Sequence, residues 1–155
     1  MFTGIVEEVG KVITFNDFNL IIECKKILEG IRIGDSISTS GICLTVTNLE
    51  DNKISFDLSE ETINKSIFGK EQKITHVNLE RSATLETRIG GHLVEGHVEG
   101  TGICRKIEKL SESTIITFEV NKNLLENIIE KGYVAIDGTS LTINKIFDNR
   151  FQVSI

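Results

Sequence analysis

Short apolar runs, rich in β-branched residues and separated by polar segments, recur along the whole chain. Some alternate with polar residues and others are continuous, which is typical of strands buried on one face or on both. The predicted strands are KVITF, LIIEC, SISTSGICLTVTNL, KISFDL and STIITFEV, which begin at residues 11, 20, 36, 53 and 113. Asp51-Asn52 and Asp148-Asn149 lie between such runs and predict hairpin turns.

Two stretches favour short helical turns instead. They are ETINKSIF, which begins at Glu61, and KNLLENIIEKG, which has an asparagine as candidate N-cap and is expected to end before Gly132. Several short strands in each half of the chain, with turn signals at regular spacing, predict an all-β fold of small closed barrels or sandwiches.

The chain contains two similar halves. Ser40–Val46 aligns with Asp137–Ile143, and the alignment continues without a gap into the DNKISFDL and DNRFQVSI segments. The N-terminal MFTGIVEEVGKV aligns with LVEGHVEGTGIC, which begins at Leu93. Matched blocks in the same order indicate an internal duplication. We therefore predict two domains, residues 1–88 and residues 89–155.

The second half is shorter than the first. After KISFDL the first half continues with a segment from Ser59 to Glu86, whereas the sequence ends directly after RFQVSI. A barrel without its last strands has an open sheet edge and an incomplete core. We therefore expect the second barrel to be incomplete here and the sequence to be part of a longer chain.

Composition and charge narrow the class of protein. The 155 residues are 39% hydrophobic and 26% charged, which is ordinary for a soluble globular protein. Acidic residues outnumber basic ones, the net charge is −6 and no run is basic, so we expect no nucleic-acid partner. No apolar run approaches the roughly 18 residues of a spanning helix, and the N-terminus does not resemble a signal peptide, so we expect no membrane association.

The cysteines are few and widely spaced. Cys24, Cys43 and Cys104 are an odd number, which favours reduced thiols in the cytosol over a disulfide framework. We therefore predict a cytoplasmic protein. Neither a CxxC nor an HExxH motif is present, and we expect no metal site.

Five motifs together carry a family resemblance. MFTGIVEEVG, SGICLTV, VNLERS, GGHLVEGHVEGTG and IDGTSLTI occur in this order and resemble the riboflavin synthase α-chain family across the whole chain. The resemblance implies two tandem six-stranded Greek-key barrels, followed by a C-terminal helix through which three subunits associate. It implies active sites between barrels of neighbouring subunits. It also suggests lumazine synthase, an enzyme of the same pathway, as a partner.

The resemblance further implies a reaction. Two molecules of 6,7-dimethyl-8-ribityllumazine dismutate to riboflavin and 5-amino-6-(ribitylamino)uracil, without a metal or redox cofactor. Duplicated barrels would supply two related pockets, and side-chain differences between them would make one molecule the donor and the other the acceptor. Holding two reactants in register contributes up to about 7–11 kcal/mol to lowering a barrier.

The same resemblance assigns chemical roles to four residues. Cys43 falls on the family's active-site cysteine, and its counterpart in the second half is Ser140. His97, whose counterpart is Ile5, would exchange a proton with the acidic C7 methyl group of the lumazine. Ser140 and Thr142 share one strand face. From the residues alone, a small core thiol, a turn histidine and ordinary strand hydroxyls stay open as alternatives.

Further residues are expected at the substrate. Gly4 and Gly96 lie in matched segments where backbone would approach a flat ligand, although a β-bulge also accounts for them. His92 and His76 are interpreted as structural or surface residues. The full set of predicted binding residues comprises Phe2, Gly4, Ile5, Val6, Ser36, Leu44, Thr45, Asp57, Leu58, Ser59, Glu60, Glu61, Thr62, Gly96, Val98, Lys131 and Leu141.

A second function stays open beside the enzyme. Antenna proteins related to this family bind lumazine or flavin in the same double barrel and emit light instead of reacting. The presence of all four polar residues, Cys43, His97, Ser140 and Thr142, favours the enzyme, because a pure carrier does not need them together. A generic small-ligand barrel would not predict the matched halves.

Overall fold

The first half of the chain folds into a closed barrel of six antiparallel strands. The computed structural model describes residues 1–16, 18–70 and 73–155. The strand order around the barrel is β1-β2-β5-β4-β3-β6, and β6 closes it by pairing with both β1 and β3. The strands are β1 (Glu8–Asn16), β2 (Asn19–Glu23), β3 (Ser36–Thr39), β4 (Ile42–Glu50), β5 (Lys53–Asp57) and β6 (His76–Arg81). The helical segments are α1 (Glu60–Lys65) and two 3-10 turns (Lys26–Leu28 and Ile67–Gly69).

Alternating residues of the strands fill the barrel. In β2 and β5, for example, Leu20, Ile22, Ile54 and Phe56 are fully buried while their neighbours face outward. The buried core consists of Leu20, Ile22, Cys24, Ile27, Ile37, Ile42, Leu44, Val46, Ile54, Phe56, Leu58, Phe68, Val77 and Leu79.

The second half forms a five-stranded sheet with the same topology. Its order, β7-β8-β11-β10-β9, repeats the order β1-β2-β5-β4-β3. No strand of the described residues joins β7 to β9, so the sheet stays open and its buried core is reduced to Ile143, Phe151 and Val153. The elements are β7 (Ile103–Lys109), β8 (Thr114–Glu119), α2 (Lys122–Leu125), β9 (Tyr133–Ile136), β10 (Thr139–Phe147) and β11 (Arg150–Ser154).

Turns and bulges match between the halves. Asp51 and Asp148 have positive φ at the tips of the predicted hairpins. The bulge of β4 between Val46 and Asn48 corresponds to the bulge of β10 between Ile143 and Lys145. A bulge bends a strand and increases its twist, so the matched bulges give both sheets the same curvature.

Two segments differ from the sequence prediction. The run SISTSGICLTVTNL is divided into β3 and β4 by a tight turn at Ser40 and Gly41, which both have positive φ. Helix α2 ends at Leu125, well before Gly132, because the rest of that segment forms turns. Within the described parts of the chain, no helix combines the length and the apolar character needed to cross a bilayer.

Candidate functional site

The N-terminal arm, residues 1–6, crosses from the first barrel to the second half. The Gly4 carbonyl accepts a hydrogen bond from the backbone N–H of Ser140 at 2.8 Å. Gly4 has a φ of +76°, and a Cβ at this position would lie 2.6 Å from the Ser140 Cβ. Only glycine fits here, so the backbone of the arm lies directly against a predicted site residue.

The central arm, residues 93–98, makes the corresponding crossing to the first barrel. The Gly96 carbonyl accepts a hydrogen bond from the backbone N–H of Cys43 at 2.8 Å, and a Cβ on Gly96 would lie 2.7 Å from the Cys43 Cβ. The arms also pair with each other, because Phe2 and Val94 exchange two backbone hydrogen bonds of 2.7 and 3.0 Å. Each half therefore has a site residue covered by the arm of the other half.

An open cleft of about 360 Å³ lies where the central arm, β4 and α1 meet. Helix α1 is fixed at its start because Ser59 Oγ accepts a hydrogen bond from the backbone N–H of Thr62 at 3.1 Å, an N-cap arrangement. The cleft is lined by Ile42, Cys43, Glu61, Thr62, Lys65, Gly96, His97 and Val98. It brings together Cys43 and His97, two of the four residues for which the family resemblance implies chemical roles.

Cys43 and His97 differ in their exposure at this cleft. Cys43 is half-buried and carries a free thiol, whereas the His97 side chain is 80% exposed and its Nδ1 lies 3.6 Å from Glu95 Oε2. An accessible imidazole beside a cleft is suited to exchanging protons with a bound molecule near neutral pH. Among the described residues, no cluster of histidine, cysteine or carboxylate side chains could hold a metal ion.

Ser140 lies beside a histidine that the sequence analysis interpreted as structural. The Ser140 Oγ is 2.6 Å from His92 Nδ1, and the His92 ring stacks on Tyr133 with centroids 5.2 Å apart. Burial lowers the pKa of His92 and so favours the neutral ring, whose Nδ1 can accept the hydroxyl proton of Ser140 in a hydrogen bond.

The spacing of five residues between His92 and His97 would place them on opposite faces of a strand, and on this ground His92 is interpreted as structural. Apart from the Val94 bridge to Phe2, the segment around it is not a strand, so the two-residue alternation does not apply. Gly90 and Gly91, directly before His92, were the available sequence signal that this backbone approaches another segment closely. A Cβ on Gly91 would lie 2.6 Å from the Ser140 Cβ, which shows how closely this backbone approaches the site.

Three further predicted residues of the second half lie on β10 or just before β9. Thr142 is exposed on the same face as Ser140, as the spacing predicts, and Leu141 packs against the small second core. Lys131 is exposed, has a φ of +65° and donates its backbone N–H to the Ile143 carbonyl.

Several predicted binding residues have side chains that do not line the cleft at Cys43. Leu44 and Leu58 face the barrel core, and Phe2 is fully buried where the arms meet. Ile5 is exposed and Val6 is half-buried. The side chains of Phe2, Leu44 and Leu58 are therefore not available to a ligand, whereas that of Ile5 is accessible.

The remaining predicted residues do not line the cleft at Cys43. Ser36 of β3 pairs with Thr45 of β4, and Thr45 is exposed on the face it shares with Cys43. Asp57 accepts a hydrogen bond of 2.9 Å from the side chain of Asn19, and Glu60 is exposed in the first turn of α1.

The cleft also contains two residues that the sequence analysis did not name, Ile42 and Lys65. Lys65 could have been found from its spacing, because it follows Glu61 by one helical turn and therefore shares its face of α1.

Known proteins resemble this chain in sequence and in fold. A family model described as the lumazine binding domain matches residues 3–82 and 95–155. Riboflavin synthase from Actinobacillus pleuropneumoniae is 40% identical over 159 residues, covering 100% of this chain and 74% of that protein. The structure of LumP complexed with riboflavin has a TM-score of 0.88 and 28% identity, covering 99% of this chain and 86% of that one. LumP complexed with 6,7-dimethyl-8-(1'-D-ribityl) lumazine has a TM-score of 0.84 and 25% identity, with coverages of 99% and 86%. The chain therefore belongs to the riboflavin synthase family, whose members are built from lumazine-binding domains.

Proposed function

We propose that this chain catalyses the riboflavin synthase reaction, the dismutation of two 6,7-dimethyl-8-ribityllumazine molecules to riboflavin and 5-amino-6-(ribitylamino)uracil. The observation that carries the proposal is the reciprocal contact of the arms: Gly96 covers Cys43, and Gly4 covers Ser140. Corresponding residues of the two halves thus meet at two sites of similar backbone geometry but different side chains. A reaction between two identical molecules in unequal roles requires such an arrangement.

The cleft at Cys43 is the proposed site for one substrate molecule. The flat ring system would lie against the backbone of Gly96, within reach of the Cys43 thiol and the His97 imidazole. The side chains of Thr62 and Lys65 line the same cleft and offer hydrogen-bonding groups for the ribityl hydroxyls. Ser36, Thr45 and the Asp57–Glu60 segment do not line this cleft and are proposed as further contacts of the substrate.

The second substrate molecule is assigned to the strand face at Ser140 and Thr142, beside Gly4, Ile5 and Val6 of the N-terminal arm. Ile5 stands where His97 stands in the other half, so only one of the two sites has an imidazole from its arm. This difference provides the asymmetry between donor and acceptor. Leu141 and Lys131 belong to the same proposed site.

The chemistry needs a proton acceptor for the C7 methyl group of the lumazine. His97 is exposed at its cleft and is the proposed acceptor. Cys43 would contact the ring or assist addition at a ring carbon, because a thiol is both a weak hydrogen-bond donor and a nucleophile when ionised. The reaction redistributes a four-carbon unit between like molecules and requires no external oxidant.

The cellular location, the oligomeric state and the partner of the enzyme are also part of the proposal. We assign it to the cytoplasm on the basis of the free cysteines in the described residues, and to a homotrimer on the basis of its family. The matched strand order and bulges support an internal duplication as the origin of the two halves. Lumazine synthase is a proposed partner, since it belongs to the same pathway.

Incubation of the purified protein with 6,7-dimethyl-8-ribityllumazine tests the proposal directly. We expect riboflavin to form without any added cofactor, which its absorbance and fluorescence report. The alternative is a non-catalytic lumazine or flavin carrier, which has less support because the LumP structures are 25–28% identical to this chain whereas the riboflavin synthase is 40% identical. Tight binding without turnover would support the carrier, and the absence of both would contradict either function.

A further inference from the structure

We propose that Glu80 is a positioning residue for the Ser140 site: its carboxylate fixes the N-terminal arm, and the arm fixes Ser140 and His92. The inference deepens the proposed function of that site and rests on it.

The Glu80 carboxylate is bound almost entirely by the arm. Its Oε1 accepts hydrogen bonds from the Thr3 backbone N–H at 2.7 Å and from the Thr3 hydroxyl at 2.6 Å. Its Oε2 accepts the Gly4 backbone N–H at 3.0 Å. Two successive backbone N–H groups directed at one carboxylate form a small anion-binding concavity, made here by the protein for its own side chain.

The burial of Glu80 makes this contact energetically important. The residue is only 5% exposed, and within the described chain no lysine or arginine forms an ion pair with it. A buried carboxylate loses the stabilisation of water and must recover it from hydrogen-bond donors. All three donors come from Thr3 and Gly4, so the carboxylate is satisfied only when the arm is in place.

The outward face of β6 supports the second half at a further point. Val77 and Leu79 point into the barrel core, which leaves Asn78 and Glu80 on the opposite face. The Asn78 side chain donates a hydrogen bond of 2.9 Å to the carbonyl of Asp137, in the turn that precedes β10. One strand of the first barrel therefore holds both the arm and the turn that flank Ser140.

The arm transmits the position of Glu80 to both polar groups of the site. The Thr3 carbonyl accepts the His92 backbone N–H at 3.1 Å, and the Gly4 carbonyl accepts the Ser140 backbone N–H at 2.8 Å. The same two residues that bind Glu80 through their N–H groups thus bind His92 and Ser140 through their carbonyls. A shift of the arm would disturb the Ser140–His92 hydrogen bond without any change in the residues that form it.

The substitution Glu80→Gln tests the role with little change of shape. The amide nitrogen of glutamine is a donor and must face at least one of the donors of Thr3 or Gly4, which removes an acceptor from the arm. Glu8→Gln is the matched control. Glu8 lies in the same barrel and its carboxylate also accepts two backbone N–H groups, those of Lys25 and Ile27 at 2.7 and 2.8 Å, but none of these residues belongs to the proposed sites.

Turnover gives the first readout. We expect Glu80→Gln to lower kcat by at least about tenfold, as displaced catalytic groups do, while Glu8→Gln changes it less than about twofold. Substrate affinity at the Cys43 cleft, measured by lumazine fluorescence, should be retained in both variants. Equal kcat losses in Glu80→Gln and Glu8→Gln would reduce Glu80 to a structural residue and overturn the proposal.

Amide hydrogen exchange gives a second readout that does not depend on activity. In Glu80→Gln the amides of Ser140 and His92 should exchange at least about tenfold faster, while the Cys43 amide stays protected by Gly96. Unchanged exchange at Ser140 and His92 would overturn the proposal even if the protein turns over no substrate. If the wild-type protein makes no riboflavin while Glu80→Gln still shows this exchange pattern, the result contradicts the proposed function and leaves the positioning role of Glu80 intact. If Glu80→Gln does not fold, Thr3→Val replaces it, because this variant removes only the hydrogen bond from the Thr3 hydroxyl. We expect Thr3→Val to show the same faster exchange at Ser140 and His92, to a smaller extent. Unchanged exchange in Thr3→Val would contradict the positioning role of Glu80.

Discussion

Gly41 and Gly138 face each other, backbone to backbone, where the two halves of the chain meet. A Cβ on Gly41 would lie 3.0 Å from the backbone nitrogen of Gly138, and a Cβ on Gly138 would lie 2.9 Å from that of Gly41. Each glycine is the second residue of a tight turn, Ser40-Gly41 between β3 and β4 and Asp137-Gly138 between β9 and β10. The halves therefore meet through equivalent turns, and neither glycine position has room for a side chain.

We expect Gly41→Ala to destabilise the protein through this contact. A φ of +87° disfavours alanine by about 1 kcal/mol, and crowding of the facing backbone should add about 1–3 kcal/mol. Gly30→Ala is the matched control, because Gly30 has a φ of +78° and a Cβ added there would have no other atom within 4 Å. Urea unfolding of both variants separates the two effects. Equal losses of unfolding free energy would mean that the contact between the turns adds nothing.

Cys43→Ser and His97→Gln are expected to slow turnover more than they weaken binding. The loss of a general base typically costs about 10²–10⁴ in rate, and we expect the His97 variant to fall in this range. The controls are Cys104→Ser on β7 and His76→Gln at the start of β6, both at exposed positions. Steady-state kinetics and equilibrium binding of the lumazine measure the two effects. Parallel losses of kcat and affinity would argue that Cys43 and His97 only bind.

The stability of the protein should fall below neutral pH because of His92. Burial lowers the pKa of this imidazole in the folded state, whereas the unfolded chain retains the ordinary value of about 6.5. Above that value both states are neutral and His92 adds no pH dependence. Below it the unfolded state takes up the proton first, so the free energy of unfolding decreases.

His92→Gln should remove this part of the pH dependence. Urea midpoints at about pH 7.5 and about pH 5.5 should differ less in the variant than in the wild type. The exposed residue His76 provides the control, because His76→Gln removes an imidazole that lies outside the Ser140 site. A slope that is unaffected by His92→Gln would show that His92 is protonated as readily in the folded state as in the unfolded state.

Glu7 should stabilise the fold above acidic pH. Burial alone would raise the pKa of its carboxyl, but hydrogen bonds from the Arg81 guanidinium and backbone outweigh burial and hold the pKa below its ordinary value. The stabilisation is therefore complete above the unfolded pKa of about 4.3 and is lost as the pH falls through the lower folded value.

Glu7→Gln is expected to lower the free energy of unfolding by about 1–3 kcal/mol at neutral pH and to flatten the acid limb of the stability profile. Glu108→Gln breaks the more exposed Lys106–Glu108 pair and should cost less than about 1 kcal/mol. Urea unfolding between neutral pH and about pH 3 measures both variants. An acid limb of unchanged steepness in Glu7→Gln would assign the acid sensitivity to other carboxylates.

Features set by local periodicity could be predicted from the sequence. The continuous apolar run at residues 20–22, between Asn19 and Glu23, predicts β2, and Asp51 and Asp148 mark the hairpins, because these signals depend on neighbours along the chain. The shared face of Cys43 and Thr45 follows from the two-residue repeat of a strand. Alignment of the halves also predicted that they share one topology and, because the second half is shorter, that its barrel has an open edge and an incomplete core.

Features set by distant contacts could not be predicted in this way. The alignment pairs Gly4 with Gly96, but it does not indicate that each glycine lies against the opposite half. The role of His92 depends on the course of an irregular segment past Ser140, which no periodicity describes. Helix α2 is short although its sequence favours a longer one, because tertiary contacts override a weak local propensity.

The crossing of the arms constrains the order in which the molecule can be completed during synthesis. The Cys43 amide pairs with a carbonyl that is made only after the whole first barrel has been translated, and the Gly4 carbonyl pairs with an amide of β10 in the second half. Contacts between residues so distant in sequence form late, since a long loop must close first. The N-terminal arm is thus among the last segments to reach its final place, and the first barrel has no finished pocket to offer a ligand until the central arm has been made.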